Sequence, residues 1–312
     1  MLVVQHTGAL AAWQIGAVAF GISALRTIEA PVLSAQLPLL VPRRHLMAIN
    51  GVLDNTKRVA RLIAPVLIAA CQDLLSVGQL FGLVALAYWC MAAAAGLIAD
   101  ARPVSSTKSA SPSSFTSWRD TWDEARRDRE LFCAILFSGA YTVAHGASYW
   151  VLIPRLLLDH LSLGTAGLAL VIAGFGAGGL LGNLALLTSR YSGQVSLVGL
   201  GMAMASTAFF SFAFVGSEWT AVIAAVLGGL ALPMMDVSMQ VLIHQRAARD
   251  HWGRIFALWR YVAEVGIGIG LLIGGPIAEL IGAAPGLVGL GLYGIMVGLI
   301  LLLAARRFVP VR

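Results

Sequence analysis

Among the side chains that interrupt the apolar stretches of this sequence, six stand out as candidates for chemistry: Arg26, Glu29, His145, Asp236, Gln240 and Glu264. A polar or ionisable group inside a bilayer is costly, so each is a functional candidate by default. Asp236 lies in Pro233-Met-Met-Asp-Val-Ser-Met-Gln240. The proline there can free a backbone carbonyl, and the Met and Gln side chains offer adaptable contacts to an irregular ligand. A carboxylate in that setting can hold a cation or a proton, or it can hydrogen-bond neighbouring helices for packing. Glu264 stands among glycines and either faces a cavity as a proton or ligand site or pairs with Arg260 one turn earlier. Arg26 and Glu29, three residues apart, can pair on one helical face. His145 sits in the aromatic, polar run Tyr141-Thr-Val-Ala-His-Gly-Ala-Ser-Tyr-Trp150. It either lines a cavity or is a hydrogen-bonded structural residue.

Other patterns carry no such chemistry. Gly174-Phe-Gly-Ala-Gly-Gly179 fits GxGxxG, but a dinucleotide site needs a preceding strand in a βαβ unit, and this match lies inside an apolar run. The sequence holds no GxxxxGK[ST], GxSxG or HExxH, so neither ATP hydrolysis nor common hydrolase chemistry has support and the chain is not expected to be an enzyme. Cys71, Cys90 and Cys133 lie in or beside apolar runs without CxxC spacing and read as small core residues. No metal and no other cofactor is expected.

The elements that must position these groups follow from composition. Of 312 residues, 59% are hydrophobic and 12% are charged, about half the usual supply of charge for a soluble domain. Mean hydropathy is +0.84. The chain therefore reads as an all-α polytopic membrane protein. Its net charge of +6 points to basic loops beside a membrane and not to nucleic acid. A span needs about 20 apolar residues, and nine runs qualify: 8–29, 49–71, 78–99, 131–153, 164–187, 194–214, 219–240, 256–279 and 286–305. The N-terminus lacks a basic leader and reads as the first span, not a signal peptide. Alternate loops are basic, carrying Arg43 to Arg58, Arg102 to Arg129, Arg190, Arg246 to Arg254 and Arg306 to Arg312. Those loops and the C-terminus are expected in the cytoplasm, and the N-terminus outside. Within 100–130, a Ser- and Pro-rich linker precedes a helix from Trp118, capped by Ser117. Trp118 and Trp122 share a face there, and Arg119, Asp123 and Arg127 are spaced to pair. This helix is expected to lie at the headgroup boundary with its tryptophans down. Three parts result: a partial bundle over 1–99, the cytoplasmic linker over 100–130 and a six-helix bundle over 131–312.

Six spans after a charged central loop resemble the second half of a major facilitator superfamily transporter. Pro38-Leu-Leu-Val-Pro42-Arg-Arg-His-Leu46-Met-Ala-Ile-Asn50 followed by Ala60-Arg61-Leu-Ile-Ala-Pro65 resembles the connection between the fourth and fifth helices of that superfamily's drug and siderophore exporters. Arg129-Glu-Leu131 resembles the entry to their seventh helix. Gln245-Arg-Ala-Ala-Arg-Asp-His-Trp-Gly253-Arg254 resembles the loop before their eleventh, with Gly266 to Pro276 as its glycine-rich body. On this resemblance the nine spans correspond to helices four to twelve, with the first three lacking, and Ala64 stands where the family has glycine. The resemblance implies secondary, proton-coupled efflux of a small amphipathic molecule, drug- or siderophore-like, by alternating access across the plasma (inner) membrane. It links Arg26 to proton coupling, and it makes Arg190, which follows Gly174, Gly178 and Gly182, and Arg254 cytoplasmic gate candidates. The alternative is a truncated membrane fragment that does not transport, or a structural partner.

Overall fold

The computed structural model describes residues 46–71, 74–100, 118–188, 194–248 and 251–308. They are helical apart from short connections, with no strand among them. The elements are α1 (Leu46–Cys71), α2 (Val77–Asp100), α3 (Trp118–Arg127), α4 (Arg129–Ala147), α5 (Gly164–Thr188), α6 (Gln194–Phe212), α7 (Glu218–Arg246), α8 (Trp252–Leu280) and α9 (Ala283–Phe308). The candidate span 8–29 and the cap Ser117 lie outside the described residues.

The chain divides into two compact units. The first holds the two ends of α1 and all of α2, and the second holds residues 58–66 of α1 and everything from α3 onward. In the first unit, α2 starts at a reciprocal cap. The Ser76 N–H donates to Gln79 Oε1 at 2.8 Å, and the Gln79 N–H donates to Ser76 Oγ at 3.3 Å, so two donors of the first turn are satisfied. Both helices form where apolar runs were expected, yet their strongly apolar stretches are shorter, Leu62–Cys71 and Gly78–Ala94. Charge at Asp54, Lys57, Arg58 and Arg61 dilutes the start of α1.

The second unit contains six helices long and apolar enough to cross a membrane. At 1.5 Å per residue, their 19 to 32 residues reach roughly 29 to 48 Å, enough for a hydrocarbon core of about 30 Å. Glycines stitch the helices in pairs. Gly139 and Gly146 of α4 abut Val262 and Ile267 of α8, and Gly270 of α8 returns the contact against Val143 and Ala147. Gly174, Gly178 and Gly182 of α5 meet Val222, Val226 and Leu230 of α7. Gly291 and Gly294 of α9 lie against Phe210 and Ser206 of α6. Without a Cβ the backbones approach closely, which is how helices gain packing where lipid supplies no hydrophobic drive. Contacts of α6 with α7 and of α4 with α9 join the pairs into one bundle. Tyr141, Leu152, Met202, Phe209, Phe212 and Met239 fill its centre, while Leu184, Ile223, Leu272 and Leu303 remain exposed.

The helix that begins as α4 does not stop at 153, where the sequence predicts a loop from Pro154. It continues to His160 as a single run of 32 residues. Pro154 lacks an N–H, and in an α-turn its ring would meet the carbonyl four residues earlier. The backbone widens around it instead, with π-helical turns at Ser148–Leu152 and Leu156–His160. The Ile153 N–H donates five residues back to the Ser148 carbonyl, so the helix absorbs the proline without ending.

Candidate functional site

Asp236 sits half-buried on α7, four residues before the exposed Gln240. On α4, Tyr141 is 1% exposed. One turn along α4, the half-buried His145 ring centre is 6.0 Å from Tyr141, 5.2 Å from a stacked Tyr149 and 5.7 Å from Phe209 of α6. The fold thus gathers Tyr141, His145, Tyr149 and Phe209 into one interior aromatic cluster, with Asp236 on the adjoining α7. The α-helical spacing 141–145–149 aligns the three rings on one face, and Gly139 and Gly146 hold that helix tightly on α8.

The hydroxyls near this locus are sparsely partnered. Tyr141 Oη, Ser148 Oγ on the wide turn and Ser206 Oγ on α6 are buried and have no hydrogen-bond partner among the described residues. Thr142 Oγ1 instead donates to the Gly139 carbonyl at 2.8 Å, and Tyr293 Oη of α9 donates to the Ala140 carbonyl at 3.1 Å. Ser206 is invisible to sequence reasoning because the run around it, Met202-Ala-Met-Ala-Ser-Thr-Ala-Phe-Phe210, carries no recognisable motif.

Glu264 is placed elsewhere. Its Oε1 accepts from Arg260 Nη2 at 2.8 Å, one turn away on α8, and both side chains are more than half exposed. Among the two roles its sequence left open, the structure displays the pair.

A second polar cluster closes the end of the bundle where α3, the start of α4, the end of α7 and the start of α8 meet. Arg246 Nη2 donates to Glu130 Oε2 at 2.6 Å, and its Nη1 lies 3.5 Å from Asp128 Oδ2. Asp128 also caps α4 by accepting from the Leu131 N–H at 2.9 Å. Arg127 pairs with Glu124 at 2.7 Å and not with Asp123, because three residues as well as four bring side chains together on a helix. Glu124 also stands 3.3 Å from His251 Nδ1. Arg254 is exposed, and with Asp120, Glu124, Arg127 and His251 it lines a cavity of about 390 Å³.

The helix α3 does not turn Trp122 outward. The indole packs edge-on to Phe132 at 5.2 Å, Arg126 covers both rings at 5.5 Å, and Ala125 is fully buried. The helix is fastened to its own bundle because its apolar face finds Phe132 there. The sequence could signal Arg246 only as a basic loop residue; its partners Asp128 and Glu130 are far away along the chain. Arg26, Glu29 and Arg190 lie outside the described residues. Gly174, Gly178 and Gly182, the glycines that precede Arg190, face α7 along their whole run.

No family model matches this sequence. It is similar to macrolide efflux protein A of Streptococcus pyogenes, 20% identical in an alignment 285 residues long that covers 88% of this chain and 68% of that protein. The same protein from serotype M6 of that species matches to the same extent. Both relatives carry the name of an efflux protein and not of an enzyme.

Proposed function

We propose that this chain is a secondary efflux transporter that carries a small amphipathic molecule across the plasma membrane in exchange for protons, by alternating access. The observation that carries the reading is the similarity to a macrolide efflux protein along 88% of the chain. Six membrane-length helices support it, as does a sequence without a phosphate-binding loop for ATP. The resemblance to major facilitator exporters supplies the mechanism. The part over 1–99 then belongs to the first bundle of that mechanism and 131–312 forms the second, with 100–130 as the cytoplasmic linker and the C-terminus inside.

Asp236 is the coupling group in this reading. A carboxylate inside the bundle attracts the cationic end of an amphipathic substrate when ionised and releases it when protonated. Gln240, one turn on, adds a polar contact. Arg26 and Glu29 form a second proton-pathway pair, Glu264 is held by Arg260 until a conformational change frees it, and Arg190 and Arg254 gate the cytoplasmic side.

Accumulation of fluorescent amphipathic dyes and of a macrolide in whole cells tests this. Cells making the chain are expected to retain less than cells with empty membranes. The difference should vanish with a protonophore or with Asp236→Asn, and shrink with Glu264→Gln. Retention equal to empty membranes, with the protein shown to be inserted, would overturn transport. An effect that survives both the protonophore and Asp236→Asn would overturn proton coupling through this residue.

A further inference from the structure

Of the six long helices, α8 is the least buried, and its outward side is divided into two sectors. Val265, Ile269 and Leu272 form one of them, and all three are exposed, as suits contact with lipid. The adjoining sector has another character. Ala257, Arg260, Glu264, Gly268, Leu271 and Gly275 recur at intervals of three or four residues and so share one face. Ala257, Arg260, Glu264 and Leu271 are exposed, and a Cβ on Gly268 or Gly275 would meet nothing within 4 Å. The glycines on the opposite side, Gly266, Gly270 and Gly274, are instead filled by Thr142, Val143 and Val151 of the α4 run.

The ion pair decides what this face can touch. Arg260 Nη2 stands 2.8 Å from Glu264 Oε1, with the side chains 62% and 57% exposed. Glu264 lies about 18 Å along a span roughly 44 Å long, a depth at which an open pair of charges is costly against hydrocarbon. We infer that this face of α8 docks a second copy of the chain, in a parallel two-fold dimer whose two Arg260–Glu264 pairs interlock. Two copies inserted in the same sense carry these charges at the same depth. A half-turn about the membrane normal then sets the two faces against each other, each copy offering both signs to the other, as an isologous contact requires. The bond to Glu264 uses one of the five N–H donors of Arg260, so the guanidinium can also reach the carboxylate of the second copy. Ala257, Gly268 and Gly275 are small enough to let the two backbones approach. The dimer does not depend on the efflux reading.

Oxidative cross-linking in native membranes tests this on the full chain, with Cys71, Cys90 and Cys133 replaced by serine and one cysteine introduced. With a single cysteine per chain, any disulfide joins two copies. Leu271→Cys places the thiol on the charged face and Leu272→Cys on the lipid sector. Linked dimer is expected from the first and its loss in the second, because a disulfide forms only between closely apposed backbones. Random collision would favour position 272, which is 78% exposed against 45% for 271. Adding Arg260→Glu to Leu271→Cys should abolish the linked dimer, and adding Glu264→Arg as well should restore it. Dimer formed equally at 271 and 272, or at neither, overturns the proposal. So does a cysteine at 271 that reacts with a polar thiol reagent and forms no dimer, since water then covers this face. A dimer at 271 unaffected by Arg260→Glu overturns the interlocking of charge. The comparison of 271 with 272 leaves Arg260 and Glu264 intact, so it stands even where a charge variant fails to insert.

Discussion

Gly270 and Gly268 occupy the same helix two residues apart, yet a methyl group would have opposite consequences at them. At Gly270 it would run into the Val143 carbonyl and stand 2.7 Å from the Ala147 nitrogen, both backbone atoms that cannot rotate away. At Gly268 nothing lies within 4 Å. Gly270→Ala is therefore expected to force α8 off α4 and destabilise the second unit by about 1–3 kcal/mol, the usual cost of overpacking. Gly268→Ala should be neutral or slightly stabilising, since alanine favours the helix. Thermal unfolding of the two variants in detergent checks this; equal midpoints would contradict the glycine-stitched contact. The same scale shows what sequence makes legible. Asp236 and His145 announce themselves because polar atoms in apolar runs are rare. Ser206 does not, because serine is common in membrane helices and only its placement against Gly294 and Ala144 makes it distinctive.

Between elements, Arg246 fastens the end of α7 to the start of α4 through Glu130 and Asp128. These side chains are 20% to 41% exposed, so the pair contributes on the order of 0–1 kcal/mol to stability. Its weight lies in geometry: the same α7 carries Asp236, and the same α4 carries Tyr141 and His145. Arg246→Glu is expected to lower the melting temperature only slightly and to impair dye efflux strongly. Adding Glu130→Arg should recover much of that efflux, because the opposite charges face each other again. Efflux equally poor in the single and double variants would show that the pairing itself does not matter. Nothing in the local sequence foretells this latch, since its members are separated by more than 100 positions. The continuation of α4 past Pro154 escapes local reasoning for a different cause. Proline marks a helix end in most contexts, and only packing of the wide turn against α8 and α9 shows that the helix is carried through it.

At the scale of the molecule, hydropathy alone delivers the six long helices of the second unit, because a span must be continuously apolar over its whole length, but it ends the first of them seven residues early and the fourth six. It delivers α1 and α2 less cleanly, since charge intrudes on the first and the apolar stretch of the second is short. Orientation rests on a different signal, the distribution of cations between the two ends. In the second unit, Arg119, Arg126, Arg127, Arg129, Arg246, Arg254, Arg306 and Arg307 belong to segments at one end, whereas Arg155, paired with Asp159 at 3.3 Å, serves the other. Each cation near an anionic leaflet contributes about 1 kcal/mol, so this asymmetry predicts that the arginine-rich end faces the cytoplasm. Replacing Cys71, Cys90 and Cys133 by serine and then introducing single cysteines at Arg254 and at Ser217 allows each end to be addressed separately by a thiol reagent that does not cross membranes. In intact cells the cysteine at 217 should react and the one at 254 should not, with the order reversed in inside-out vesicles. The reverse pattern would place the Glu124–His251 cluster and its cavity outside the cell and would turn the proposed direction of proton movement around, because Asp236 would then load from the opposite compartment.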